Sequence, residues 1–164
     1  MTNLENPNPH FYRPCVAMVL FNSAGLVFVA ERNDTSETIW QLPQGGIDKG
    51  ESQKDAALRE LVEEIGTNAA VILKQINLET FYNWPDFMAG GPLKKKYKGQ
   101  RVKLVALQFT GIDKNINLNT EFPEFKNWKW VVLEDLPKMT ALFKKPLYEL
   151  AVESFKELRN NLIK

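Results

Sequence analysis

The chain has 164 residues, a length that fits one domain, and its 21 Lys and Arg nearly cancel 20 Asp and Glu to leave a net charge of +1, so no whole-molecule attraction to nucleic acid is expected. Apolar residues make up 44% and charged residues 25%, enough to build a core without disulfides or structural metals. One cysteine, Cys15, and one histidine, His10, exclude an internal disulfide, a Cys-type zinc cluster and a His-rich metal site, and make Ser-His-Asp and Cys-His catalysis poor candidates.

The N-terminus, MTNLENPNPHFYRP, is polar and broken by proline. Residues 1–12 are therefore expected to form a flexible arm, and 13 to lack regular structure with them, ahead of a single domain over 13–164. No apolar secretory core follows, and no run approaches the roughly 18 apolar residues of a membrane span. A cytoplasmic protein without a membrane partner is expected. CVAMVLF at 15–21 and LVFVAER at 26–32 flank the turn Asn22-Ser23-Ala24-Gly25 and predict a hairpin. WQLP at 40–43 predicts a short strand ending at Gly45 and Gly46.

Residues 52–65 give the clearest helical signal, stopped by Gly66. Strands are expected at 71–81 and 101–109, with a long loop at 83–100 between them. That loop and the strand after it carry Lys94, Lys95, Lys96, Lys98, Arg101 and Lys103, a run suited to a solvated hairpin tip or to phosphates. A polar stretch over 113–124 precedes a strand at 128–133. Within it Trp128 and Trp130 have the period-2 spacing of sheet packing rather than of a base-stacking platform. Leu147, Leu150, Ala151, Phe155, Leu158 and Leu162 recur at helical spacing. Strands outnumber helices, so the expected fold class is a mixed α/β sandwich.

On a helical wheel, Leu58, Leu61, Val62 and Ile65 form one apolar stripe. Glu60, Glu63 and Glu64 form a second stripe, expected on the opposite side. Like charges at these spacings destabilise a helix by about 0.2–0.5 kcal/mol per pair. Two of the glutamates also lie in the last turn, where the helix dipole disfavours anions. A solvated acidic face is the ordinary reading of such a stripe. A bound hard divalent cation, which takes oxygen ligands, would reverse its energetics. The preceding glycine pair would let a loop approach a ligand without side-chain obstruction, and Arg59 is placed to pair with Glu51.

Gly45, Glu51 and the run Arg59-Glu60-Leu61-Val62-Glu63-Glu64-Ile65-Gly66 resemble the signature box of the Nudix hydrolases, over about 45–67. Thr67 stands where that pattern prefers an aliphatic residue, a packing position. The resemblance implies an α/β/α sandwich with a mixed sheet and a loop-helix-loop catalytic box. It further implies that Glu60, Glu63 and Glu64 ligate Mg²⁺ or Mn²⁺, two or more ions with substrate bound, while Glu51 and Arg59 support the geometry.

Tyr12-Arg13-Pro14, Trp40-Gln41-Leu42-Pro43-Gln44-Gly45-Gly46-Ile47, the run from Pro123 to Val131 and Phe143-Lys144 extend the likeness to bacterial RNA pyrophosphohydrolases and dinucleoside polyphosphate hydrolases. In that group a glutamate in a Pro-Glu-Phe segment binds metal or acts as base, and Glu124 matches it. Arg13, Arg32 and Lys144 match substrate-binding cations, with Gly45 and Gly46 beside them. The implied activity is metal-dependent conversion of RNA 5′-triphosphate ends to monophosphates by a monomer, with Glu63 or Glu124 as base, and without action on DNA. Diadenosine tetraphosphate hydrolysis as the main activity is the alternative within the same chemistry. A non-catalytic nucleotide-binding module is the alternative from another class.

Overall fold

The structure is a computed structural model and describes residues 7–88 and 91–164. Its centre is β1 (Tyr12–Phe21), in which all residues from Cys15 to Phe21 are wholly buried. A strand covered on both faces reads as a continuous apolar run, and CVAMVLF is such a run. Along one edge β1 pairs in parallel with β7 (Gly99–Phe109), in register from Tyr12↔Gly99 to Phe21↔Gln108.

Alternate β1 side chains enter two cores. Val16, Met18 and Leu20 meet Ala56, Ala57, Leu61 and Ile65 of α1 (Gln53–Ile65). Cys15, Ala17, Val19 and Phe21 share the other core with Leu147, Tyr148, Ala151 and Phe155 of α4 (Lys145–Leu162). The architecture is thus α/β/α with a mixed sheet, as the sequence predicts. Burial pushes the Cys15 thiol up to about 11.

The other edge of β1 is divided between two partners. The turn at 22–25 forms, with the Asn22 side chain accepting from the backbone N–H groups of Ala24 and Leu26 at 3.0 and 2.9 Å. The hairpin closes only at Phe21↔Val27. There β2 (Val27–Arg32) leaves β1 to pair with β3 (Trp40–Gln41) and β8 (Phe125–Val131). The vacated edge takes β4 (Gln44–Gly46), with Cys15↔Gly46 and Val16↔Gly45 in register. Both glycines are thereby fixed on the central strand.

Several elements differ from expectation. Pro9–Phe11 forms a 3-10 turn, and Tyr12 and Arg13 already belong to β1; parallel pairing with β7 orders this stretch, and residues 1–6 lie outside the described residues. The strand expected at 71–81 is two, β5 (Ala70–Gln75) and β6 (Thr80–Asn83). Each pairs with a different end of the 11-residue β7. A register irregularity between Ile72 and Lys74 precedes the break. The 83–100 segment contains α2 (Pro92–Lys96), with proline where a helix tolerates it best, at its start. β8 begins at Phe125, three residues early, because its pairing with β2 runs on to Arg32. A short helix, α3 (Leu136–Met139), follows it. Trp128 and Trp130 pack on Phe28, at 5.6 and 5.9 Å between ring centroids, and so belong to the sheet. Among the described residues no helix is long and apolar enough to cross a membrane.

The second core is held by α4 through few large side chains, and Phe155 is wholly buried among them. Phe155→Ala is expected to lower stability by about 3–5 kcal/mol, read as a fall in urea midpoint at unchanged slope. A loss under about 1 kcal/mol would show that α4 is not part of the cooperative unit.

Candidate active site

Local chemistry delimits α1 sharply. Ser52 caps its start, accepting from the Asp55 N–H at 3.1 Å. Gly66 ends it in the left-handed conformation, φ +69°, where a Cβ would lie 2.5 Å from the Asn117 carbonyl oxygen. The helix is rotated relative to the expected wheel. Val62 is 48% exposed, whereas Glu60 and Glu64 are 8% and 4% exposed. The acidic stripe adjoins the apolar one instead of opposing it, and only Glu63 of the three faces solvent. The buried arc takes in both stripes because α1 packs against β4 as well as against β1, β5 and β7 of the same sheet.

Arg59 organises this surface. Its guanidinium donates to Glu51 at 2.8 and 2.9 Å, to Glu60 at 2.9 Å, to Glu63 at 3.2 Å and to the Gly46 carbonyl at 2.8 Å. The expected Glu51 pair exists, with three further carboxylates on the same cation, Glu60, Glu63 and, at 3.7 Å, Asp48. Its hydrogen bonds hold the Glu51 carboxyl down at about 2. Burial raises that of Glu60, against the pull of Arg59. Glu64 accepts from the Gln44 backbone N–H at 3.0 Å. Burial, then the Glu124 and Glu60 carboxylates, raise its carboxyl well above the usual range.

The glycine pair also has a steric role inside the protein. A Cβ on Gly45 would fall 1.8 Å from the Glu60 carboxyl carbon, and one on Gly46 would fall 2.4 Å from an Arg13 guanidinium nitrogen. These glycines make room for the Glu60 and Arg13 side chains while lining the cleft.

An open cleft of ≈ 480 Å³ brings together Arg13, Arg32, Gly45, Gly46, Glu60, Glu63, Glu64, Glu124 and Lys144. Gly45 and Gly46 come from β4 and Glu60, Glu63 and Glu64 from α1, while the other four come from separate parts of the fold. Arg13 lies on β1 and Arg32 at the end of β2. Lys144 precedes α4, and Glu124 precedes β8. The Glu124 loop is tied to β2 by Asn33, whose backbone N–H and side chain donate to the carbonyls of Glu124 and Pro123 at 3.0 and 2.9 Å. Arg32 shares its guanidinium with the exposed Asp34, at 2.7 Å from Nε. Burial, and then the neighbouring Arg32, push Lys144 down to about 8.

The sequence reading missed the polar and aromatic wall of the cleft. Gln44 donates to Tyr82 Oη at 2.7 Å and to Gln100 Oε1 at 2.8 Å. Trp84, Met88, Leu93 and Phe143 complete this side. Gln44 stood beside the glycine pair and Phe143 beside Lys144; Tyr82 and Gln100 carry no local signal, because only β6–β7 pairing makes them neighbours.

Among the described residues no preformed cluster of three or more acidic, cysteine or histidine side chains converges on a metal position. Glu60 and Glu63 are turned to Arg59, and Glu64 to the Gln44 amide. The donor set nevertheless fits a hard dication. Its ligands are carboxylate oxygens, and ionisation of Glu64 is opposed by Glu124 and Glu60, an opposition that a cation would relieve.

A family model described as the NUDIX domain matches residues 11–151. An RNA pyrophosphohydrolase of Wolbachia pipientis subsp. Culex pipiens is 42% identical over 148 residues, 90% of this chain and 91% of that one. One of Novosphingobium aromaticivorans is 44% identical over 151 residues, 90% and 94% of the two chains. Among solved structures, an Ap4A hydrolase binary complex of C. elegans aligns with TM-score 0.61 at 21% identity, covering 87% of this chain and 98% of that one. A MutT protein of Methanosarcina mazei Go1 aligns with TM-score 0.57 at 20% identity, covering 94% and 99%. At these identities the structural likeness speaks for the fold.

Gly45→Ala is expected to displace the Glu60 carboxylate and reduce turnover of any substrate by at least about a hundredfold, since small misplacements at a reacting centre cost that much, with an unchanged far-ultraviolet circular dichroism spectrum. Near-wild-type turnover would refute this packing role. Glu51, held at about 2 against an ordinary value of 4.5, favours the folded state in its charged form. Its contribution is fully present above pH 4.5 and is lost as the pH falls towards 2. The stability difference between wild type and Glu51→Gln should therefore shrink over that interval in denaturant titrations; a pH-independent difference would remove the assignment.

Proposed function

Because the chain belongs to the Nudix family, we propose that it hydrolyses the 5′-triphosphate end of RNA to a 5′-monophosphate with release of pyrophosphate, and also cleaves dinucleoside polyphosphates. The observation that carries this reading is one cleft lined by the cations Arg13, Arg32 and Lys144 together with the carboxylates Glu60, Glu63, Glu64 and Glu124. Cations of this kind hold a phosphate chain, and the acids hold what activates it. The names of relatives such as those of Wolbachia and Novosphingobium support RNA as substrate.

Glu60, Glu63, Glu64 and Glu124 would hold Mg²⁺ or Mn²⁺. A dication held there would supply charge neutralisation for the phosphate chain and a lowered pKa for the attacking water. The protein's own groups supply the rest. Arg13 and Arg32 present planar donors suited to bidentate contact with phosphate oxygens, and Lys144 adds a point charge. The Gln44 N–H fixes the buried Glu64, which leaves Glu63 and Glu124, both exposed, to accept the proton of the attacking water. Water adds at phosphorus as the bridging P–O bond breaks, and the leaving group is pyrophosphate. On diadenosine tetraphosphate the products are ATP and AMP. No protein nucleophile is needed, in keeping with a buried Cys15 and with His10 outside the cleft.

Incubation with Mg²⁺ and either triphosphorylated RNA or diadenosine tetraphosphate, followed by product identification and side-by-side kinetics, tests the proposal. Negligible RNA turnover beside efficient dinucleotide cleavage would make the dinucleotide the main substrate. Binding without any product would leave a nucleotide-binding module. Glu63→Gln is expected to lose about 10²–10⁴-fold in turnover while retaining substrate binding; unchanged turnover would remove Glu63 from the mechanism.

A further inference from the structure

The cleft has a basic exit. Its wall at Gly91, Pro92 and Lys94 is shared with a second, shallower concavity that continues to Lys95. The basic run around α2 is not uniform. Lys94 is turned inward, its ammonium donating to the carbonyls of Pro85 and Met88. Arg101 is committed to Glu79 at 3.1 Å. Lys103 is half-buried on β7. Lys95, Lys96 and Lys98 remain exposed, and among the described residues none of the three has an ion-pair partner.

Aromatic rings are interleaved with these cations. Lys96 lies over the Tyr97 ring at 5.1 Å, and Lys98 over the Phe11 ring at 4.8 Å. Phe11 is itself 48% exposed. Two backbone hydrogen bonds fix this group to the cleft wall. The Lys98 N–H donates to the Phe11 carbonyl at 2.8 Å, and the Trp84 N–H donates to the Lys98 carbonyl at 3.0 Å. A positive strip with stacking surfaces is the pattern that suits single-stranded nucleic acid.

Resting on the reading of the cleft as a phosphate-chain site, we propose that Lys95, Lys96, Lys98 and Phe11 form a docking track for the single-stranded RNA downstream of the 5′ end. The lysines neutralise backbone phosphates and Phe11 offers a ring to a base. Continuity with the cleft favours this occupant. A polymer whose first phosphates lie among Arg13, Arg32 and Lys144 must leave the cleft, and the wall shared at Gly91, Pro92 and Lys94 leads it on to Lys95. The track gives the protein a means of preferring RNA over a dinucleotide that ends inside the cleft.

The test compares wild type with Lys95→Ala/Lys96→Ala/Lys98→Ala, all exposed positions outside both cores. The probe for binding is a fluorescent 5′-monophosphorylated single-stranded RNA of 16 nucleotides, with its dinucleotide counterpart as control, read by anisotropy over a salt series. The triple variant is expected to weaken 16-mer binding about tenfold and to flatten its log–log salt slope by about 2, at roughly 0.7 for each phosphate that is no longer neutralised. Dinucleotide binding should move less than about twofold. In kinetics on the triphosphorylated 16-mer, KM should rise with kcat retained, and Phe11→Ala should weaken the 16-mer alone. Equal affinities and slopes for wild type and variant would overturn the track. So would an equal loss for both lengths, which would mean a general electrostatic effect. Because the binding arm needs no turnover, failure of the hydrolase reading would appear separately, as absence of product from every substrate.

Discussion

The site depends on a single guanidinium. Arg59 binds Glu51, Glu60, Glu63 and the Gly46 carbonyl together, and so joins the loop before the helix to the helix itself. Three carboxylates on one short segment would repel one another at close range. Arg59 lets them coexist while the acids it does not touch, Glu64 and Glu124, remain for other partners. The same cation explains why the acids are not already gathered into a cage. Glu60 and Glu63 each give one carboxylate oxygen to this internal positive charge, which turns them towards Arg59 rather than towards one another.

The second requirement is topological. β1 gives one edge wholly to β7 and divides the other between β2 and β4. Had β1 and β2 remained paired along their length, Gly45 and Gly46 would have no place on the central strand. They could not then make room for the Glu60 carboxyl and the Arg13 guanidinium. The split edge therefore sets the distance between the cationic and anionic halves of the cleft.

Much of the fold and part of the site were legible in the amino-acid sequence. The apolar run of β1, the turn at Asn22, the capped helix ending at Gly66 and the amphipathic α4 each depend on local chemistry, and each is found. Glu60, Glu63, Glu64, Arg13, Arg32, Glu124 and Lys144, all singled out from the sequence, line one cleft. What escaped depends on residues distant in sequence. The burial of Glu60 and Glu64 follows from packing of α1 against β4, which no helical wheel contains. The division of 71–81 follows from the length of β7. Tyr82 and Gln100 become neighbours only across a strand pair, and the inward turn of Lys94 only across its loop.

Cys15 is the sole thiol of the chain, stands opposite Gly46 in the sheet and has no accessible surface. A maleimide or iodoacetamide label can therefore reach it only when the strand that carries the whole architecture comes apart. The chain thus contains its own clock for global opening, one sulfur whose rate of modification reports unfolding without any engineered probe.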